Sequence, residues 1–72
     1  MNLTYSQMAR LMQVDQPRAR FRVEPGRDGR VYVKALSPDG KVRTNYASFE
    51  RPQVVADIYE IARQMANVLG AR

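Results

Sequence analysis

The feature that most constrains the fold is the alternation of charged and apolar residues over residues 18–47. Successive side chains of a β-strand point to opposite faces, so this alternation predicts strands with one apolar face and one charged face. Two glycine-containing segments, at 25–29 and 37–40, have the composition of turns and interrupt the pattern. They leave three predicted strands, at 18–24, 30–36 and 41–47. Because short loops join neighbouring strands, we expect a three-stranded antiparallel meander.

The apolar face of the predicted sheet supplies one side of the hydrophobic core. Its members are Ala19, Phe21, Val23, Val31, Val33, Ala35, Val42, Thr44 and Tyr46. The register of the third strand depends on the turn at 38–39, because a one-residue slip there would exchange the two faces of that strand. We expect the pairing that buries its apolar side chains, which places Val42 beside Ala35 and Tyr46 beside Val31.

A short helix is predicted before the sheet, over residues 5–14. Thr4 and Gln7 have the spacing of a capping box, in which each side chain bonds to the other residue's backbone N–H. Apolar residues then recur at helical spacing, and Pro17 ends the pattern because the residue before a proline avoids helical angles.

The same segment resembles the first part of a helix-turn-helix unit. The matching residues are Leu3-Thr4, Ala9, Met12, Val14 and Gln16-Pro17. The second helix of such a unit would have to lie over residues 18–24, where unbroken alternation favours a strand. Gln13 also stands where the turn of that motif usually has glycine. An excisionase-like winged helix is the corresponding alternative fold.

A longer helix is predicted after the sheet. Its apolar stripe consists of Val54, Val55, Ile58, Ile61, Ala62, Met65, Val68 and Leu69. Pro52 suits the first helical position, and Gly70 suits the position that ends a helix. The stripe is expected to cover the apolar face of the sheet; its alternative use is the seam of a homodimer. The predicted fold is α+β in the order α-β-β-β-α, as one small basic domain over residues 1–72.

Composition limits the chemistry available to the chain. Its 72 residues include neither cysteine nor histidine, which excludes disulfides, thiolate metal sites and the commonest general base. No catalytic motif is present, so we expect no enzymatic activity, no metal and no cofactor. There is no apolar run near the roughly 20 residues that span a bilayer and no secretory signal pattern, so we expect a cytoplasmic protein.

The charge points to a polyanionic partner. The formal net charge is +5 and the pI is about 10.2, which is typical of nucleic-acid-binding domains. Ten of the twelve basic residues are arginine, the residue best suited to bidentate contacts with phosphate and guanine.

The predicted nucleic-acid interface is the charged face of the sheet with its adjoining loop. Its residues are Arg18, Arg20, Arg22, Arg30, Tyr32, Lys34, Lys41, Arg43 and Asn45, and Arg27 lies nearby in the same loop as Arg30. The cations would neutralise phosphates and Tyr32 would stack on an exposed base. Only Glu24 offsets the positive charge, whereas a merely solvated sheet face usually mixes both signs.

A family resemblance supports this hypothesis. The alternation of 18–24, the Pro-Asp-Gly-Lys turn at 38–41, Arg43 and Phe49 resemble the arm-type DNA-binding domain of phage and transposon tyrosine recombinases. The resemblance covers residues 18–65. It implies a three-stranded sheet followed by one helix, with the exposed face of the sheet entering the major groove.

Carried over to this chain, the contacts implied by the resemblance fall to Arg20, Arg22, Lys34 and Arg43. The family's Thr-Lys-x-Glu-Ala helix start is replaced here by the sequence at 50–53, and we expect no catalytic domain after the helix. The element order also resembles double-stranded-RNA-binding domains, without the lysine pair at the start of their second helix.

Two functions follow as hypotheses. The first is an accessory nucleic-acid-binding protein of a phage or mobile element, with double-stranded DNA favoured over RNA. The second is a protein-interaction module, such as a small phage-type inhibitor. It would meet an acidic protein surface through the same arginines, or a partner helix through Tyr5, Met8 and Met12.

Overall fold

The structure, a computed structural model, describes residues 2–70. Its elements are α1 (Tyr5–Asp15), β1 (Arg20–Pro25), a 3-10 turn (Arg27–Gly29), β2 (Val31–Leu36), β3 (Ala47–Phe49) and α2 (Val55–Gly70). The three strands form one antiparallel sheet in the order β1-β2-β3. The predicted α+β fold and its α-β-β-β-α order are confirmed.

The start of α1 is fixed by the predicted capping box. The Thr4 hydroxyl accepts a hydrogen bond from the Gln7 N–H (3.1 Å), and Gln7 Oε1 accepts one from the Thr4 N–H (2.8 Å). These two bonds satisfy backbone donors that a helix start otherwise leaves without partners. At the other end the Gln16 N–H bonds to the Met12 carbonyl at 2.9 Å. The helix extends one residue beyond the predicted end.

Both helices pack on the same face of the sheet. Helix α1 contacts β1 and α2, while α2 also contacts β2. The buried core between the layers consists of Met8, Met12, Ala19, Phe21, Val31, Val33, Ala35, Ile58, Ile61, Ala62 and Met65. The apolar face predicted for the first two strands is therefore the core face, with Val23 half-buried at its margin.

Two of the predicted alternatives do not fit this arrangement. Residues Arg20–Pro25 form a strand, so the second helix of a helix-turn-helix or winged-helix unit is not formed there. Met8 and Met12 are fully buried, so the expectation that they meet a partner helix is wrong. They are core residues because α1 turns them toward β1 and α2.

The third strand is not where the alternation predicted it. Only Ala47–Phe49 form β3, and the earlier part of the segment contributes one isolated bridge between Leu36 and Arg43. Phe49 pairs with Val31 where Tyr46 was expected. The expected register, with Val42 beside Ala35 and Tyr46 beside Val31, is therefore wrong.

Two local irregularities cause the shift. The turn after β2 closes with the Gly40 N–H on the Ser37 carbonyl (2.9 Å), and Gly40 has φ +76°, a left-handed conformation that glycine adopts without strain. Further on, Thr44 lies beside Ala35 and Ala47 beside Val33, so Lys34 faces two residues, 45 and 46, as in a β-bulge.

The bulge decides which side chains enter the core. Thr44 is 2% exposed, whereas Val42 and Tyr46 are 40% and 39% exposed and are not buried as expected. Phe49 packs against the core in their place.

Helix α2 starts later than predicted. Pro52 is buried and precedes the helix, so it does not occupy the first helical position. The Asp57 carboxylate accepts hydrogen bonds from the N–H groups of Gln53 (3.0 Å) and Val54 (3.3 Å), which stabilises the first turn.

The buried stripe of α2 is narrower than predicted, since Val54, Val55 and Val68 are exposed. Gly70, which was expected to end the helix, is the last described residue and lies within α2. Over residues 2–70, neither helix has the length and hydropathy needed to cross a membrane.

Candidate nucleic-acid interface

The face of the sheet opposite the helices carries most of the predicted interface. Because side chains alternate along a strand, the residues between the buried positions of β1 and β2 project to this side. Residues paired across the sheet share a face, which adds Arg43 through its bridge to Leu36 and Ser48 through its pairing with Tyr32. We call this surface the basic face; it consists of Arg20, Arg22, Glu24, Arg30, Tyr32, Lys34, Leu36, Arg43, Tyr46 and Ser48.

Positive charges face one another at the centre of the basic face. Arg22 of β1 is the direct cross-strand partner of Lys34 of β2. Like charges in this position destabilise a sheet by roughly 0.2–1 kcal/mol. The single salt bridge within residues 2–70 joins Arg63 Nε and Asp15 Oδ2 (3.5 Å), and both of those residues lie on the helices. Five cations and one carboxylate therefore share this face without an ion pair among them.

Arg30 is held in a fixed position at one end of the face. Its Nε donates a hydrogen bond to the Ser48 hydroxyl (2.7 Å), and its Nη2 donates to the Ser48 carbonyl (3.3 Å). The side chain thus spans from the start of β2 to β3. A guanidinium has five N–H donors, so further donors remain for a ligand. Ser48 had no role in the prediction, which ended the third strand one residue earlier.

Tyr46 joins the basic face because of the bulge. The Lys34 ammonium lies 5.3 Å from the centroid of its ring, a cation–π distance. Sequence reasoning missed this residue by assigning it to the core. The available signal was the apolar-polar-apolar order of Ala47, Ser48 and Phe49, whose apolar residues are in the opposite phase to Val42, Thr44 and Tyr46 and therefore compete with Tyr46 for the core.

Tyr32 lies lower on the same face, opposite Glu24 on one side and Ser48 on the other. Its ring packs over Gly26, where an added Cβ would come within 3.1 Å of the ring atoms. A side chain at this position would require the ring or the Arg30 carbonyl to shift by a few tenths of an ångström, so glycine favours the close approach. One side of the half-buried tyrosine ring is consequently covered by backbone, which limits its availability for stacking.

The nine predicted interface residues divide into two groups. Six lie on the basic face: Arg20, Arg22, Arg30, Tyr32, Lys34 and Arg43. The other three are exposed in adjoining irregular segments: Arg18 precedes β1, Lys41 follows the turn after β2, and Asn45 lies in the bulge. The structure brings the first group together on one regular surface and leaves the second group at its margin.

The turn that leads to Arg43 is held by a carboxylate. Asp39 Oδ1 accepts a hydrogen bond from the Ser37 hydroxyl (2.6 Å) and one from the Lys41 N–H (2.9 Å). These bonds, with that from Ser37 the stronger cause, favour the charged form and lower the pKa of Asp39. Ser37 Oγ in turn accepts from the Val42 N–H (3.1 Å). The network fixes the path of the chain into the segment that carries Arg43 and Thr44.

Comparison of the chain with models of protein families, with curated proteins and with solved structures gave no match.

Proposed function

We propose that this protein binds nucleic acid through its basic face and that double-stranded DNA is the preferred ligand. One observation carries the proposal: five cations and one carboxylate share a solvent-exposed sheet face, and none of the five forms a salt bridge within residues 2–70. The Arg22–Lys34 pair costs the free protein stability. A bound polyanion would offset this cost, because phosphates placed between the two side chains replace repulsion with attraction.

The dimensions of the β1–β2 ribbon suit the major groove. Each strand has six residues, which at about 3.3 Å per residue gives a length of roughly 20 Å. Two strands lie about 4.8 Å apart, whereas the major groove is about 12 Å wide and admits a two-stranded ribbon. Arg20, Arg22 and Lys34 would then reach phosphates and base edges from within the groove. Arg30, already oriented by Ser48, would contact the backbone at its rim.

The salt dependence of binding tests the proposal. We expect a labelled duplex to bind with an affinity whose logarithm falls linearly with the logarithm of salt concentration. If each of the five cations neutralises one phosphate, the slope reaches about −4.5, from about 0.9 per phosphate. Fluorescence anisotropy titrations at several salt concentrations measure this slope directly.

A charge-matched pair of variants assigns the contact to the basic face. Arg20→Ala with Arg22→Ala should weaken binding and reduce the size of the slope by about 1.8, which is two contacts at about 0.9 each. Arg10→Ala with Arg63→Ala removes the same charge from the helices and should leave the slope unchanged. Equal effects of the two double variants would show that net charge alone attracts the DNA. If no duplex binds at low salt, and no single strand or RNA of equal length binds either, the proposal is wrong; an acidic protein surface would then be the partner to test.

A further inference from the structure

The outer edge of β1 has backbone groups without partners in the sheet. The Ala35 carbonyl accepts from the Thr44 N–H (2.9 Å), and the Ala35 N–H donates to Thr44 Oγ1 (3.0 Å), so both groups point away from β1. In an antiparallel pair, opposite residues either exchange both hydrogen bonds or exchange none. Phe21 pairs with Ala35, so its N–H and C=O point outward, and by alternation those of Val23 do the same.

Pro25 fits the same edge. It pairs with Val31 two positions beyond Val23, so its nitrogen also points away from the sheet. Proline is tolerated there because an outward nitrogen needs no hydrogen for the ladder. The carbonyl of Pro25 remains an outward acceptor. The edge therefore presents donors at Phe21 and Val23, and acceptors at Phe21, Val23 and Pro25.

The edge is also sterically open. An open groove of about 260 Å³ runs beside it, between Tyr5, Ser6 and Ala9 of α1 and the residues from Phe21 to Glu24. The groove separates this part of α1 from the outer side of the strand. Val23 is half-buried and lies on the groove side of the strand.

The side chains along this edge are complementary to themselves. Two copies of β1 can pair antiparallel about a two-fold axis in several registers that place outward-pointing residues opposite one another. With Val23 opposite Val23 of the second copy, Arg22 faces Glu24 of that copy, and the reciprocal pair forms by symmetry. With Phe21 opposite Val23, Arg20 would face Glu24 of the second copy, but Arg22 would face Arg22 across the axis, which is repulsive. With Phe21 opposite Phe21, Arg20 would face Arg22, and with Val23 opposite Pro25, Glu24 would face Glu24, so these registers also place like charges opposite each other. Charge therefore selects the first register.

We propose that two copies of this chain pair along their β1 edges, with Val23 on the two-fold axis. Val23 contributes two hydrogen bonds across the axis, and each Phe21 N–H donates one to the Pro25 carbonyl of the other copy. The result is a continuous six-stranded sheet with both pairs of helices on one side and both basic faces on the other. Glu24, the one carboxylate of the basic face, is the residue that pairs with Arg22 of the second copy. The inference does not depend on the proposed function.

Sedimentation equilibrium of the full chain without nucleic acid tests this pairing. Edge pairing of this length buries less than the roughly 1,200 Å² of stable interfaces, so the measurement should run from about 10 µM to about 1 mM. The weight-average mass should rise with concentration from 8.3 kDa toward twice that value. Amide hydrogen exchange at Phe21 and Val23 should slow over the same range.

Charge variants separate this edge from other modes of association. Glu24→Arg should weaken the dimer at least about tenfold, because two attractive cross-strand pairs become repulsive. Glu50→Arg makes the same charge change outside β1 and should leave the dimer intact. Combining Arg22→Glu with Glu24→Arg restores opposite charges across the axis and should restore the dimer. Val23→Pro removes both central donors and should abolish it, while circular dichroism reports whether the fold is kept.

A chain that stays at 8.3 kDa up to about 1 mM would overturn the inference, as would a dimer that Glu24→Arg and Glu50→Arg affect equally. A monomer that still binds DNA would overturn only the dimer. A dimer that binds no nucleic acid would overturn only the proposed function.

Discussion

Replacing Thr44 with valine removes one hydroxyl group and leaves the shape of the side chain almost unchanged. Thr44 is the single polar residue among the buried ones in the described chain and is 2% exposed. Its hydroxyl accepts a hydrogen bond from the N–H of Ala35, which is fully buried (3.0 Å). Valine has no acceptor, so the variant leaves this N–H buried without a partner.

The cost of the change can be worked from these contacts. A buried donor without an acceptor costs about 1–3 kcal/mol, and the added methyl group recovers up to about 0.8 kcal/mol. We expect Thr44→Val to lower the free energy of unfolding by about 1–2 kcal/mol. In a domain of this size the midpoint of thermal unfolding would fall by roughly 4–16 °C.

Urea denaturation followed by circular dichroism measures the difference. Thr44→Ser is the matched control, because it keeps the acceptor and loses only a methyl group, at a cost of about 0.8 kcal/mol. The hydrogen bond would be unimportant if the valine variant were as stable as the wild type, or if the serine variant were the less stable of the two. Either result would also mean that the Thr44 hydroxyl does not hold the bulge that places Tyr46 on the basic face.

Two further predictions concern the turn and the basic face. The pKa of Asp39 in the folded chain lies below its ordinary value of 3.8. The hydrogen bonds to its carboxylate therefore stabilise the fold fully above about pH 3.8, and this stabilisation is lost as the pH falls through the pKa of the folded chain. Asp39→Asn should therefore unfold at a lower temperature than the wild type at neutral pH. Thermal unfolding measured at decreasing pH should show the unfolding midpoints of the variant and the wild type converge in acid. A difference between the midpoints that stays constant with pH would contradict this. Arg22→Glu should raise the free energy of unfolding by roughly 0.2–1 kcal/mol, because it turns repulsion with Lys34 into attraction, and should weaken DNA binding in the same anisotropy titration. Loss of stability together with loss of binding would mean that Arg22 supports the fold.

The parts of the fold that the sequence predicted correctly depend on local signals. The capping box of Thr4 and Gln7 fixes the start of α1 within its own turn. The alternation of β1 and β2 specifies one buried face, so a shift by one residue would place charges in the core. These constraints need no knowledge of the rest of the chain.

The third strand was placed incorrectly because its position depends on geometry that alternation does not encode. The left-handed residue Gly40 and the bulge at 45–46 each change the register, and the hydroxyl of Thr44 replaces a backbone acceptor. The sequence also offers more apolar residues in this segment than the core can hold. The bulge places Phe49 against the core and leaves Val42 and Tyr46 exposed. The β1 and β2 residues of the basic face were predicted correctly, because the alternation in those strands specifies which side chains lie opposite the core. Tyr46 and Ser48 were missed because they belong to the misplaced third strand.

The placement of both helices on one side of the sheet has a consequence during protein synthesis. Met8 and Met12 lie in one core cluster with Ile58 and Met65, which follow only after the whole sheet-forming segment. The ribosome makes α1 first and α2 last of these elements, so the apolar surface of α1 and of β2 that α2 covers stays exposed until α2 has emerged. Such uncovered surface is what chaperones and proteases recognise in nascent chains. A chain interrupted before Val55 should therefore be degraded rather than accumulate as a partly folded fragment.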